Sequence, residues 1–340
     1  MKEEQRITGL HGAGGEVMGE FLAERVLPKF GDRSSGRIGL EALDDGATID
    51  LPTGAELVVT TDSHVVKPIF FPGGNIGTLA AAGTINDLAV MGAKPLALTL
   101  AAVIEERFPI GDFERILDAF AEVLDTVRVP LACGDTKVMP PGDVDGIVLN
   151  TTGIGAASPA IGDASFSPGD RVIVTGSIGD HGMALLAARE EFRLATALAS
   201  DVAALWPLIE CALSVGGVRA MKDPTRGGLA AAMNEMARKA HLCLEIDEPS
   251  IPVKDSVGGM ADLLGISPYE VANEGKAILI VDADHANGIL DVLKAHPLGA
   301  DAALIGTVTD EHPGRVILAT AVGGRRFLDM PLGDPVPRIC

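Results

Sequence analysis

The chain has 340 residues, enough for two domains, and 47% of them are hydrophobic, which supplies cores for both. With 27 Lys and Arg against 47 Asp and Glu, the net charge is −20, so nucleic acid and anionic membrane surfaces are excluded as partners. Cys133, Cys211, Cys243 and Cys340 are widely spaced with no CxxC pair, which argues against zinc and disulfide frameworks and fits a reducing cytoplasm.

The amino end, MKEEQRITGLHGAGG, has no apolar core of signal-peptide length, and no run of about 18 apolar residues follows, so a soluble, unexported chain is expected. LHGAGGEVMGEFLAERVL sets Gly12, Gly14 and Gly15 ahead of a helical pattern, where free amides and the helix dipole favour an anion. Asp44 and Asp45 form an acidic pair. AELVVTTDSHVV reads as a strand ending near Asp62, and PGGNIGTLAAAG is a further glycine loop opening the apolar helix GTLAAAGTINDLAVMGA. Asp87 lies inside that helix, where an ionised carboxylate is costly unless paired or metal-bound.

PLALTLAAVI is a second strand, and Phe113, Ile116, Leu117, Phe120, Val123, Leu124 and Val127 mark one face of an amphipathic helix capped by Asp112. PLACGDTKVM should end as a strand near Asp135 and Lys137, and DGIVLNTTGIGAA completes the alternation. SPAIGDASFSPGD then breaks all periodicity, so domains are expected over 1–158 and 159–330. The second half holds a strand, turn and helix in RVIVTGSIGDHGMALLAARE, helices in RGGLAAAMNEMARKA and ADHANGILDVLKAH, a strand in KAILIVDAD and a hairpin around Gly323 and Gly324. The DPTRGG loop repeats the anion device with Arg226, Gly227 and Gly228.

Several aspartates where strands end suggest Mg²⁺ held by carboxylates, waters and substrate phosphates. Lys137 suits either a cation facing a phosphate or, if desolvated, a base. Glu274, ahead of Gly275 and a buried strand, suits a general base pointing into a cleft. His11, His64 and His181 adjoin glycine loops or acidic positions and read as polar surface; Cys133, Cys211 and Cys243, in apolar patterns, read as inert core. Residues 331–340, PLGDPVPRIC, carry three prolines and can hardly be helix or central strand, so they read as an extended, flexible tail carrying a thiol at its last position.

HGAGG, TTDSHVV, PGGNIG, GTINDLAVMGA, GDTKV, GSIGDHGMA, DPTRGGLA, ANEGK and PRIC, in that order and across the whole chain, resemble the HypE family of hydrogenase maturation factors. Several of these motifs resemble the wider aminoimidazole ribonucleotide synthetase (PurM-like) superfamily, whose two-domain α+β (mixed α/β) fold is therefore expected. The resemblance implies a homodimer whose amino-terminal domain sheets pair, ATP bound between the two halves, and a substrate that is the chain's own tail. A carbamoyltransferase, HypF, would load a carboxamide on Cys340, the chain would dehydrate it to a thiocyanate, and a HypC–HypD complex would receive the cyanide for [NiFe] hydrogenase iron. It further implies Asp45, Asp62, Asp87 and Asp135 as Mg²⁺ ligands, with Gly12, Gly14, Gly15, Asn86, Asp223, Arg226, Gly227 and Gly228 joining Asp62, Asp87 and Asp135 around ATP. Lys137 and Glu274 would serve the dehydration, and Cys340 the covalent link. The competing readings are another ATP-dependent enzyme of the superfamily, such as a selenophosphate synthetase, and a non-catalytic nucleotide-binding scaffold. The first would need a reactive cysteine near the amino-terminal glycine loop, yet no cysteine precedes Cys133.

Overall fold

A computed structural model of the chain describes residues 8–12, 15–30, 34–51, 54–189, 198–333 and 335–336. The amino-terminal half opens with a short helix, α1 (Gly15–Phe21), followed by β1 (Ala47–Asp50) and β2 (Glu56–His64). A small hairpin, β3 (Phe70–Phe71) and β4 (Gly74–Asn75), leads into α2 (Ile76–Val90). Next come β5 (Lys94–Glu105), α3 (Ile110–Val127), β6 (Leu131–Met139) and β7 (Ile147–Ala157). The sheet runs β1-β2-β7-β5-β6, antiparallel except for the parallel β5–β6 pair. Residue alternation sets its two faces: Val58, Thr60 and His64 of β2 are buried toward α2, whereas Thr61 and Ser63 are exposed on the other side.

α2 is buried at nearly every position because it is covered by the sheet, by α3 and by the second half of the chain. Its small residues permit the close approach: a Cβ on Gly77 would lie 2.0 Å from the Ile116 carbonyl oxygen of α3. Asn75 caps the helix, its side-chain oxygen accepting from the amides of Gly77 (2.7 Å) and Thr78 (3.3 Å).

The carboxy-terminal half is built from β8 (Arg171–Val174), α4 (Asp180–Ala188), α5 (Trp206–Val215), β9 (Val218–Lys222), α6 (Gly228–Ala240) and β10 (Cys243–Asp247). It continues through α7 (Asp255–Leu264), β11 (Ile278–Val281), α8 (Ala286–Ala295), β12 (Ala303–Thr309), β13 (Val316–Ala319) and β14 (Arg325–Phe327). Its mixed sheet has the order β14-β13-β10-β12-β8-β11-β9. No described helix is long and apolar enough to cross a membrane.

Several local expectations change. Asp112 does not cap α3: Pro109 occupies that position, and Asp112 pairs with Arg115 at 3.0 Å in the first turn. β6 does not end at Asp135 but runs on past Lys137 to Met139 as the outermost strand, so Cys133 is exposed rather than core. His64 is 1% and His181 0% exposed, so neither is polar surface. The proline-rich end is anchored at Pro331 and Val336, with Leu332 between them 69% exposed. The Pro331 carbonyl lies where a Gly15 Cβ would stand, and Val336 is fully buried in the core shared with α2. Cys340 and the residues beside it fall outside the described residues.

Leu79 of α2 is fully buried, so Leu79→Ala should leave a cavity and lower unfolding free energy by about 2–5 kcal/mol, read from urea midpoints at unchanged m-value.

Candidate active site

Asp87, Asp62, Glu274 and Asp223 line the region where α2 faces the second half. Asp87, half-buried on α2, accepts a 2.6 Å hydrogen bond from the Thr60 hydroxyl of β2. Asp62 projects from the same strand two residues on, toward Gly83 of α2. Glu274, 3% exposed, enters from the loop before β11 and also reaches Gly83. Asp223 lies just past the end of β9, is 5% exposed, and feels the charges of Asp45 and Asp62.

Crowding of like charges in a dry cleft dictates the electrostatics. Burial first, then Asp223, Asp62 and Asp45, push the Asp87 carboxyl well above the usual range, against the opposing Thr60 bond. Burial, followed by Asp223, Asp201 and Asp62, does the same to Glu274. Burial and Asp45 raise Asp223 to about 7. Burial holds His64 below its ordinary value, although Asp62 lies 3.5 Å from its Nε2. Asp223 Oδ2 and Glu274 Oε1 have no hydrogen-bond partner among the described residues.

These are the signs of a site short of positive charge, and a divalent cation fits them. Among the described residues no three His, Cys, Asp or Glu side chains converge as a ready-made cage. Mg²⁺ does not need one, since it is commonly held by one or two carboxylates plus waters and phosphates. Asp45, expected among the ligands, is ion-paired with the buried Lys222 at 2.6 Å. Burial alone would lower the pKa of Lys222, but Asp45, Glu235 and Asp163 hold it well above normal.

The anion side of the cleft is a cavity of about 660 Å³ whose lining includes Gly15, Lys222, Asp223, Arg226, Lys239 and Met330. Gly227 (φ 77°) and Gly228 (φ 61°) take left-handed conformations at the start of α6, and a Cβ on Gly228 would clash with two carbonyl oxygens at 2.6 Å. Gly12 ends a short 3-10 turn beside this region, and Gly14 lies outside the described residues. Asn86, expected near nucleotide, is a clamp between the two halves. Its amide donates to the Ala203 and Glu274 carbonyls at 3.0 and 3.1 Å, and its oxygen accepts from Leu205 N at 2.7 Å.

Asp135 and Lys137 are not brought to this cleft within one protomer. Asp62 pairs across the sheet with Thr151, Thr151 with Leu100 and Leu100 with Gly134, so β6 stands three strands away, about 14 Å. Asp135 and Lys137 align with Ala101 and Val103, on the face opposite α2. Sequence reading passed over the burial of His64, although its spacing from Val58, Thr60 and Asp62 keeps the two-residue phase of one strand face. It also missed Lys222 and Asp201, whose roles depend on contacts between distant segments.

A five-stranded sheet with its helices on one face, joined through an acidic cleft to a seven-stranded α+β half, is the two-domain fold of the AIR synthase-related proteins. Residues 43–157 match the AIR synthase related protein N-terminal domain, and residues 167–319 match the corresponding C-terminal domain. A putative hydrogenase expression/formation protein of Methanocaldococcus jannaschii is 50% identical over 340 residues, covering 98% of this chain and 100% of that protein. Carbamoyl dehydratase HypE of Rhizobium leguminosarum bv. viciae is 45% identical, covering 98% and 95% respectively. Among solved structures, a HypE–HypF complex matches with TM-score 0.84 at 41% identity, covering 91% of this chain and 99% of that one. HypE in complex with ATP matches with TM-score 0.81 at 38% identity, covering 97% and 98%. The chain belongs to the HypE carbamoyl dehydratase family.

The raised carboxyls set a pH dependence. Asp223 keeps its proton in the folded state up to about 7, whereas an unfolded aspartate loses it near the ordinary value of 3.8. Between those values the folded state binds more protons, so stability falls as pH rises. Melting temperature of the ligand-free protein should therefore drop from pH 5 to pH 7.5, and Mg-ATP should flatten the slope; a melting temperature rising over that interval would contradict the assignment.

Proposed function

We infer that the chain is an ATP-dependent carbamoyl dehydratase that converts an S-carboxamide on Cys340 to a thiocyanate, the source of the cyanide ligand of [NiFe] hydrogenase iron. The observation that carries this is full-length similarity to carbamoyl dehydratases combined with an acidic, cation-poor cleft centred on Glu274. An amide oxygen is a poor leaving group. In R–S–C(=O)–NH₂ + ATP → R–S–C≡N + ADP + phosphate, the oxygen is first phosphorylated, the C–O bond then breaks, and both N–H protons are lost.

Each requirement has a candidate group in this chain. Glu274 accepts a nitrogen proton; burial makes its carboxylate a stronger base than an exposed one, provided cations nearby keep it ionised. The Arg226 guanidinium faces Glu274 and supplies part of that charge. The glycine loops at Gly15 and Gly227 suit the phosphates by allowing close backbone approach, while the Gly228 amide donates to the Thr225 carbonyl at 2.9 Å and holds the turn. Asp62, Asp87 and Asp223 would hold Mg²⁺, which neutralises phosphate charge as the phosphoryl moves. Partners follow the same reading: HypF as carbamoyl donor, by analogy with the solved HypE–HypF complex, and HypC–HypD as acceptor of the cyano group.

A homodimer formed through the amino-terminal sheets supplies what one protomer lacks. β6 is an edge strand exposing Leu131 and Val138, 47% and 61% accessible, on the α2 side, while Asp135 and Lys137 lie on the opposite, uncovered face. In such a dimer Asp135 and Lys137 of one copy approach the cleft of the other. Lys137 then acts as a cation toward the transferred phosphoryl, since Asp135 nearby favours its charged form. The docking of Pro331 and Val336 is compatible with this chemistry if the residues beyond Val336 carry the cysteine to the cleft.

Two experiments check the reading. Intact mass after incubation with carbamoyl donor, transferase and Mg-ATP should show a carbamoyl adduct that then loses one water, while Cys340→Ala should fold and dimerise but take no adduct. Mixing Lys137→Ala and Glu274→Gln protomers should restore about a quarter of wild-type sites, because random exchange makes half the dimers mixed, each with one intact composite site. No recovery on mixing would place both residues in the same subunit.

A further inference from the structure

Glu274 stands outside any strand or helix, in the loop before β11, so no hydrogen-bond ladder holds it. Its Oε1 has no hydrogen-bond partner among the described residues, and the place of the carboxyl is therefore set through its main chain. That main chain is gripped at both ends by side chains from other segments. The Glu274 N–H donates to Asp201 Oδ1 at 3.1 Å, and the Glu274 carbonyl accepts from the Asn86 amide at 3.1 Å. The two loops are in close contact: a Cβ on Gly275 would lie 1.8 Å from the Asp201 carbonyl oxygen.

Asn86 comes from α2, whereas Asp201 comes from the loop before α5. The Asp201 side chain is 3% exposed, and its other oxygen, Oδ2, accepts no hydrogen bond from the described residues but faces Lys276 Nζ at 3.2 Å as an ion pair. Lys276 is itself 12% exposed. Folding alone gives little reason for such a pair, because apolar side chains of similar volume often stabilise a buried site as well or better. Geometry gives one: Lys276 fixes the carboxylate of Asp201, and that carboxylate fixes the N–H of Glu274. We propose that Asp201, locked by Lys276, is a positioning residue for the dehydration, setting where the Glu274 carboxyl stands in the cleft while taking no proton itself.

The proposal rests on the dehydratase reading with Glu274 as base, and its test separates the two. Full-length protein is loaded by the carbamoyltransferase and given Mg-ATP, and loss of water is followed by intact mass in a single turnover. Wild type that loses no water, or Glu274→Gln that loses it at the wild-type rate, sinks that reading and the proposal with it. Otherwise Asp201→Ala should be carbamoylated normally and bind ATP within about twofold of wild type, yet dehydrate about 100-fold more slowly, as for a reacting group misplaced by about 1 Å. Asp201→Asn keeps an acceptor for the Glu274 N–H and should recover about tenfold of that loss. In a Glu274→Gln background, Asp201→Ala should change the residual rate by less than about threefold, because the group it positions is already silent. A rate for Asp201→Ala within about threefold of wild type, no recovery with Asp201→Asn, or an equal loss in both backgrounds overturns the proposal. Should Asp201→Ala fail to fold or to bind ATP, Lys276→Met decides. At unchanged ATP affinity, a loss of about tenfold that is absent in the Glu274→Gln background supports the lock, and a rate within about threefold of wild type overturns it.

Discussion

Burial of negative charge between two domains is the constraint on which this molecule depends. Asp223 and Glu274 are nearly without solvent, Asp87 is half-buried, and Asp223 raises both of the others. Such a cleft is at ease only when protons or cations are present. A site that binds and releases charged groups benefits from walls that regain protons on emptying.

The cost is contained because the surroundings are rigid. α2 is held on three sides, and Asn86 on it fastens the backbone of Glu274 and of residues 203 and 205. A second fastening uses charge. Lys239 of α6 meets Asp44 and Asp163 at 2.7 Å each, and Lys222 meets Asp45 at 2.6 Å, tying the loop before β1 to the carboxy-terminal half. Burial raises Asp163 to about 7 even with both lysines near. Breaking one partner of so buried a network costs about 3–5 kcal/mol, more than most surface changes. The cleft carboxyls therefore ride on an interface that resists displacement, while the tail root at Pro331 passes between Gly15 and Gly227, beside the loops proposed for phosphate.

Much of this was legible in one dimension. Alternation in VVTTDSHVV placed β2, small apolar residues placed α2, and the loss of periodicity after Ala157 marked the passage between halves. The unusual aspartate inside α2 pointed to its own importance, because an ionised group in an apolar helix demands a partner. Local physics determines such features, and local physics is written in neighbouring residues.

What only the tertiary structure decided was which of those residues meet. Asp135 and Lys137 look like Asp62 in sequence, each near an apolar strand, yet sheet order puts them three strands away on the opposite face. Asp45 meets Lys222 from 177 residues away, a partner that no local pattern announces. Gly83 is one more small residue in a helix until His64, Asp62 and Glu274 converge on it. The sequence by itself determined the strands, the helices and the chemical types present, since these follow from periodicity and side-chain character. Register, sheet order and domain contact decided the site, since pairing energies between distant segments leave no trace in the spacing of neighbours.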